Sequence, residues 1–463
     1  MEKSIKRILL VFSFVWAGAV FAAPPKYIFL FIGDGMASPQ RQAAEAYSLK
    51  RGSGRLAMNH LPRRVDLETK SANAAVTDSA ASSTAIACGE LTRNGMLGVS
   101  PDGRRLESVA ELAKKRGMKV GIITTVAIAH ATPAGFYSHS NSRSRSYAIG
   151  LELIASGFDY FAGAGVFGKQ NDSKAPEYRG DLFELAVKAG YRMAFNRADW
   201  AKLAPGGKTW SVFGSGSIGF DIDADGSRPN LAELVSKCIE LIDNPNGFFI
   251  MCEGGMIDYA GHANDAATNV RDVLALDNAV KVALRFLDSR PDETLVIITG
   301  DHETGGMSMS SESAGNKYGI ELLSKQKMSV GKFSDIVKRK IRKSKGAVTF
   351  DEMRPLMAQT FSLTDLTAEE EKVLSEAFRQ DIESYRTNVE DTTHYMAKRR
   401  YVFAGAVVKV FNARAGVSWT TGSHTALPVL TTAKGVGAEI LDGMTANKDI
   451  GKRLKELLGG GER

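Results

Sequence analysis

Along this chain the apolar residues gather in short unbroken runs instead of alternating with polar ones. Four runs stand out: Tyr27–Ile32, Val120–Thr125, Gly247–Cys252 and Thr294–Thr299. A strand covered on both faces needs apolar side chains at every position, so these runs predict buried parallel strands. Each is followed at once by Gly, Asp, Glu or His. Between them apolar positions recur at helical spacing, as over Leu106–Arg116, Leu231–Ile242 and Asn269–Leu287. Strands alternating with helices predict an α/β fold, a three-layer α/β/α sandwich around a mostly parallel central sheet. In such sheets ligands gather beyond the carboxyl ends of the strands, which is where the acidic clusters fall. Towards the end, Asn412–Leu430 reads as strand and loop, and Asp449–Leu458 as a last helix.

The stretch at about 311–398 breaks this rhythm and predicts a mainly helical insertion. Its part Leu323–Gly346 carries nine Lys or Arg against one Asp, and Asp351–Asp391 carries eleven acids against four bases. Thr367-Ala-Glu-Glu370 has the spacing of a capping box that opens a helix. A basic run alone would suit a nucleic acid or a membrane. Here the opposed charges nearly cancel, which favours a basic helix that packs near the acidic one or is solvated.

At the N-terminus Lys3, Lys6 and Arg7 precede the apolar stretch Ile8–Val20, then Val20-Phe-Ala22. This is the pattern of a secretory signal cut after Ala22, and it is too short for a comfortable membrane span. The expectation is a signal peptide over 1–22 and one domain over 23–463, exported to a periplasm or secreted. The 463 residues are 44% hydrophobic and 24% charged, which excludes disorder, collagen and coiled coil as whole-chain readings. A net charge of +7 is mild over this length and suggests no nucleic-acid partner. Three cysteines are too few for a disulfide framework.

The chemistry lies at the strand ends. Asp34 stands between glycines after the first run, as a turn residue or as a carboxylate aimed into a site. Val76–Gly89 is dominated by small residues and predicts a tight helix starting near Ser79. Ser79 is then either its N-cap or a nucleophile favoured by the free N–H groups and the helix dipole. Asp258 and His262 are four apart, so on a helix they share a face and make half a zinc site. Asp301-His302-Glu303 offers adjacent oxygen and nitrogen ligands, and His424 in a polar loop could complete a set. Mixed nitrogen and oxygen donors suit zinc, and all-oxygen donors suit magnesium. Arg143 follows His130-Ala-Thr132-Pro133 and could clamp a phosphate through two bonds, or simply face solvent.

Taken in order, Asp34, Thr77-Asp-Ser-Ala-Ala-Ser82, His130-Ala-Thr-Pro133, Arg143, Glu253-Gly-Gly-Met-Ile-Asp258-Tyr-Ala-Gly-His262, Asp301-His302 and His424 resemble the alkaline phosphatase family. The resemblance implies a phosphate monoesterase that passes through a phosphoserine on Ser79 and releases inorganic phosphate. Two zinc ions and one magnesium ion are implied with it. It assigns Asp258, His262 and His424 to the first zinc, and Asp34, Asp301 and His302 to the second. Asp34, Thr132 and Glu253 would hold the magnesium. Arg143 would bind phosphate, oriented by Asp78. A homodimer is implied as well. Two positions depart from the best-known bacterial pattern: His130 stands where that pattern has Asp, and Tyr259 where it has Lys. His130 is expected as an outer partner of the third metal. An imidazole holds hydrated magnesium less well than a carboxylate does.

The alternative function is a phosphodiesterase of the same superfamily, set back by the presence of Thr132, Glu253 and Arg143. No Cys-x-Pro-x-Arg sulfatase signature occurs. Asp221-Ile-Asp-Ala-Asp225-Gly226 looks like the opening of a calcium loop, but its twelfth position is Ala232 where the loop requires Glu. A plain Asp–Gly turn is preferred. His60, His139 and His394 are expected to be structural or exposed.

Overall fold

The computed structural model describes residues 24–310, 319–387 and 402–459. The signal-like segment and His394 lie outside these. β1 (Tyr27–Gly33) is buried at every position. Tyr27, Phe29 and Phe31 enter one hydrophobic core, and Ile28, Leu30 and Ile32 enter the other. That two-sided burial is why the run is apolar throughout.

The remaining strands are β2 (Arg63–Leu67), β3 (Lys119–Ala127), β4 (Tyr160–Ala164), β5 (Tyr191–Ala194), β6 (Lys208–Val212), β7 (Phe248–Gly254), β8 (Thr294–Gly300), β9 (Glu303–Thr304), β10 (Met307–Met309), β11 (Val417–Trp419), β12 (His424–Thr425) and β13 (Val429–Gly435). Nine of them form one sheet in the order β2-β13-β8-β1-β7-β3-β4-β6-β5. The pairs from β8 across to β5 are parallel, and β13 runs antiparallel between β8 and β2. The fold is α/β with a mixed, mostly parallel sheet. Helices Ser38–Lys50, Leu231–Ile242 and Ala266–Ser289 cover one face. Helices Ser79–Cys88, Val109–Lys115 and Lys448–Leu457 cover the other.

Beyond β10 the described part of 311–398 is helical, with Val330–Lys343, Arg354–Phe361 and Ala368–Arg386 joining the first core. The capping box at Thr367 and Glu370 forms as its spacing predicts. The basic helix Val330–Lys343 packs near the acidic one, with Lys332, Arg339, Lys340 and Lys343 exposed. The chain then differs from the strand and loop expected from Asn412: Val402–Arg414 is a helix, with Asn412 inside it. Its N-terminal N–H groups are held by Asp381, from Val402 N at 2.8 Å and Phe403 N at 3.1 Å. The helix start therefore depends on a residue far upstream. All three cysteines are free and buried.

Candidate active site

Parallel register sets the stage. Gly33 pairs with both Gly254 and Gly300, so β1, β7 and β8 end at one level. Asp34, Glu253 and Asp301 therefore emerge side by side, all fully buried. Close packing here depends on Gly35, which has φ +71°, and a Cβ there would meet Asp258 Cα at 2.9 Å. Thr124 of β3 lies beside Glu253 in register and donates its hydroxyl to that carboxylate.

Three groups of ligand atoms gather there. In the first, Asp258 Oδ2 is 3.3 Å from His262 Nε2, and Asp258 Oδ1 is 3.7 Å from His424 Nε2. Each imidazole is fixed through its other nitrogen: His262 Nδ1 bonds Gly422 O at 2.7 Å and His424 Nδ1 bonds Thr77 O at 3.0 Å. This turns both Nε2 atoms towards Asp258, so that one metal ion could take all three ligands. The second group joins Asp34, Asp258 and His302. Asp301 stands beside it, with Oδ2 3.4 Å from His302 Nε2 and Oδ1 accepting from Gly35 N and His302 N. The third joins Asp34, His130 and Glu253. His130 Nδ1 lies 3.6 Å from Asp34 Oδ2 and 3.7 Å from Glu253 Oε1. The imidazole thus stands beside both carboxylates, its Nδ1 turned to the space they face. Thr132 Oγ1 is 3.2 Å from Asp34 Oδ2.

These groups fit metal ions. Asp34 Oδ1, Asp301 Oδ2, Glu253 Oε1 and His130 Nδ1 are buried and make no hydrogen bond, an arrangement that is costly unless a cation sits among them. Burial, followed by repulsion from Asp301, Asp258 and Glu253, raises the Asp34 carboxyl well above the ordinary range. Burial also raises Asp301, with Asp258 and Glu253 adding to it. At Asp258 burial acts in the same sense, but the His262, His424 and His302 imidazoles outweigh it and hold the group below the usual range. Burial and the His424 ring, 3.6 Å away and stacked, push His302 down towards the neutral, ligating form.

Ser79 is the first residue of the helix Ser79–Cys88, and its Oγ is 3.3 Å from His302 Nε2. Asp78 is the N-cap, accepting from Ala81 N at 2.9 Å. Its other oxygen accepts from Arg143 Nη1 at 3.0 Å. Arg143 Nη2 reaches His130 Nε2 at 3.1 Å. Ser79, His130, Arg143, Asp258, His262 and His424 line one cavity of about 390 Å³.

Glu303, adjacent to His302 in sequence, turns away and accepts from Gln40 and Thr425. His60 pairs with Glu45, and His139 bonds Leu106 O. In the calcium-like stretch, Asp223 accepts from Ser329 and Asp225 from Ser227. Among the described residues no metal-holding group forms there. The carbonyls of Gly422 and Thr77, and Thr304 donating to Asp258 at 2.6 Å, were not foreseen. Main-chain acceptors carry no side-chain signature. Phe167, Ser144, Ser146 and Tyr259 also line the cavity.

The family model for alkaline phosphatase matches residues 25–459. Alkaline phosphatase 4 of Bacillus subtilis is 27% identical over 453 residues, covering 93% of this chain and 88% of the relative. The cold-active alkaline phosphatase from the psychrophile Shewanella sp. superposes with a TM-score of 0.77 at 26% identity, over 93% of this chain and 99% of that one. The Thermus thermophilus alkaline phosphatase gives 0.79 at 25% identity, over 96% and 93%. This chain belongs to the alkaline phosphatase family and is a phosphomonoesterase.

Proposed function

We propose that the protein hydrolyses phosphate monoesters through a phosphoserine on Ser79, with two zinc ions and one magnesium ion bound. The observation that carries this reading is the convergence of three ligand groups on one rim that also holds a helix-start serine and an arginine. Asp258, His262 and His424 would hold one zinc, and Asp34, His302 and Asp301 the other. Asp34, Thr132 and Glu253 would hold magnesium, with His130 beside them. When bound, these ions supply Lewis acidity and positive charge for the phosphoryl oxygens, the entering oxygen and the departing one.

The chain's own groups do the rest. Ser79 Oγ loses its proton and forms the new bond to phosphorus as the ester oxygen leaves in line and takes up a proton. A water oxygen then bonds to phosphorus, the bond to Ser79 Oγ breaks, Ser79 regains its proton and inorganic phosphate is released. The N-terminal N–H groups of the helix Ser79–Cys88 favour the anion that gathers there. Asp78 holds one arm of the Arg143 guanidinium, so the fork is set before substrate arrives. Splitting the reaction in two matters because monoester hydrolysis is among the slowest uncatalysed reactions, needing up to ~10²¹-fold help.

The test is hydrolysis of a chromogenic monoester and of the matching diester across pH, before and after chelation and after reloading with zinc and magnesium. Monoester turnover that returns with metal supports the reading. Preference for the diester would favour the phosphodiesterase alternative. We further propose export, with cleavage after Ala22, and a homodimer. N-terminal sequencing of the mature protein and light scattering test these.

A further inference from the structure

The catalytic cavity has an apolar wall that phosphate chemistry does not need. Phe167 and Tyr259 both line it, each with its ring turned on the His130 imidazole. The Phe167 centroid is 5.7 Å from that of His130 at 61°, and the Tyr259 centroid is 6.2 Å away at 81°. Ser144 and Ser146, both polar, line the same cavity.

Phe167 is held in place without being packed away. β4 ends at Ala164, and Ile128 N bonds both Ala164 O and Gly165 O at 3.1 Å. Gly165 N bonds Gly214 O at 2.9 Å, and Val166 is buried. Next, Gly168 has φ +79° with open space around it, so the chain turns off directly after the ring. The ring itself stays half-buried on the cavity wall. Ligand cavities are lined largely by apolar and aromatic side chains, and a partly uncovered ring beside the reactive groups supplies such a contact.

We propose that Phe167, with Tyr259, seats the ester group of the substrate, so that the enzyme favours monoesters with a planar ring, such as aryl phosphates and nucleoside monophosphates, over small aliphatic ones. This rests on the phosphomonoesterase reading. The phosphate is held by charge, whereas the rest of the ester lies in the remaining cavity, and this wall is its aromatic surface. Rings meeting edge to face or offset gain energy beyond mere burial.

The experiment uses the full metal-loaded enzyme and its Phe167→Ala and Phe167→Leu variants. Values of kcat/KM are taken for naphthyl phosphate, AMP and glycerol phosphate, with inhibition by inorganic phosphate alongside. Phe167→Ala loses about 3- to 10-fold on the two ring substrates and less than about twofold on glycerol phosphate. Phosphate inhibition stays unchanged, and Phe167→Leu falls between. An equal fall on all three esters would overturn the proposal and leave Phe167 as a prop for His130. No change on any ester would overturn it too. A wild type that hydrolyses none of the esters and is not inhibited by phosphate would instead sink the phosphomonoesterase reading.

Discussion

One carboxylate serves three neighbours at the start of the helix Ser79–Cys88, Gly95 N among them at 3.0 Å. Asp78 caps the helix through Ala81 and steadies Arg143 with its second oxygen. Because Asp78 is the cap, the Ser79 hydroxyl is left facing His302. Arg143→Ala removes one charge-assisted clamp of about 1.5–3 kcal/mol, so phosphate inhibition should weaken by roughly 10- to 150-fold. Turnover should fall far less than on loss of Ser79, and phosphate bound as tightly as by wild type would take Arg143 out of the site. His130 faces two carboxylates through Nδ1. A neutral imidazole adds no charge to retain a hard cation and favours borderline metals. His130→Asp should therefore shift the magnesium activation curve of zinc-reloaded enzyme to lower concentration, and overlaid curves contradict this. The side chains brought together here were readable because each sits in a short motif, at a strand end for Asp34 and Asp301 and at a helix start for Ser79. That Ser79 is not the cap was not readable, since a serine at a helix start is a good cap residue and only the backbone shows that Asp78 takes that place.

Helix Val402–Arg414 shows how an element can escape local reading. Its first N–H groups find an acceptor in Asp381 on the neighbouring helix, which accepts from Val402 and Phe403 across more than twenty residues. The apolar runs of β1, β7 and β8 were legible because two-sided burial writes itself into every position. The cap was not, because its partner is distant in sequence. Burial pushes the Asp381 carboxyl up to about 7, against the two N–H groups that favour its charge. A raised folded-state value means this group's contribution is full below about 4 and is lost as pH rises to about 7. Asp381→Asn keeps an acceptor and removes the titration. Its melting temperature relative to wild type should rise between pH 5 and pH 8, and a constant difference would refute the account.

At the scale of the whole molecule, seven parallel strands end in one direction and deliver carboxylates that repel one another. Folding alone leaves Asp34, Asp301 and Glu253 with unbonded oxygens in the interior. Metal binding to the native state should therefore stabilise it, by about 4 kcal/mol for a site at thousandfold excess over its Kd. Chelation should lower the melting temperature, zinc with magnesium should restore it, and an unchanged melt would mean that the clusters do not hold metal. The neighbouring strands β8, β1, β7 and β3 and the rim at their ends were legible in the apolar runs and the motifs that follow them, and the other five strands of the sheet were not. The anchoring carbonyls of Gly422 and Thr77 did not, because backbone acceptors have no residue type. The most direct test of the phosphoserine route is acid trapping with radiolabelled phosphate on metal-loaded wild type and Ser79→Ala. The account predicts label on the wild type alone, with zinc content equal in both and turnover of the variant down by orders of magnitude. Label that persists on Ser79→Ala would contradict it.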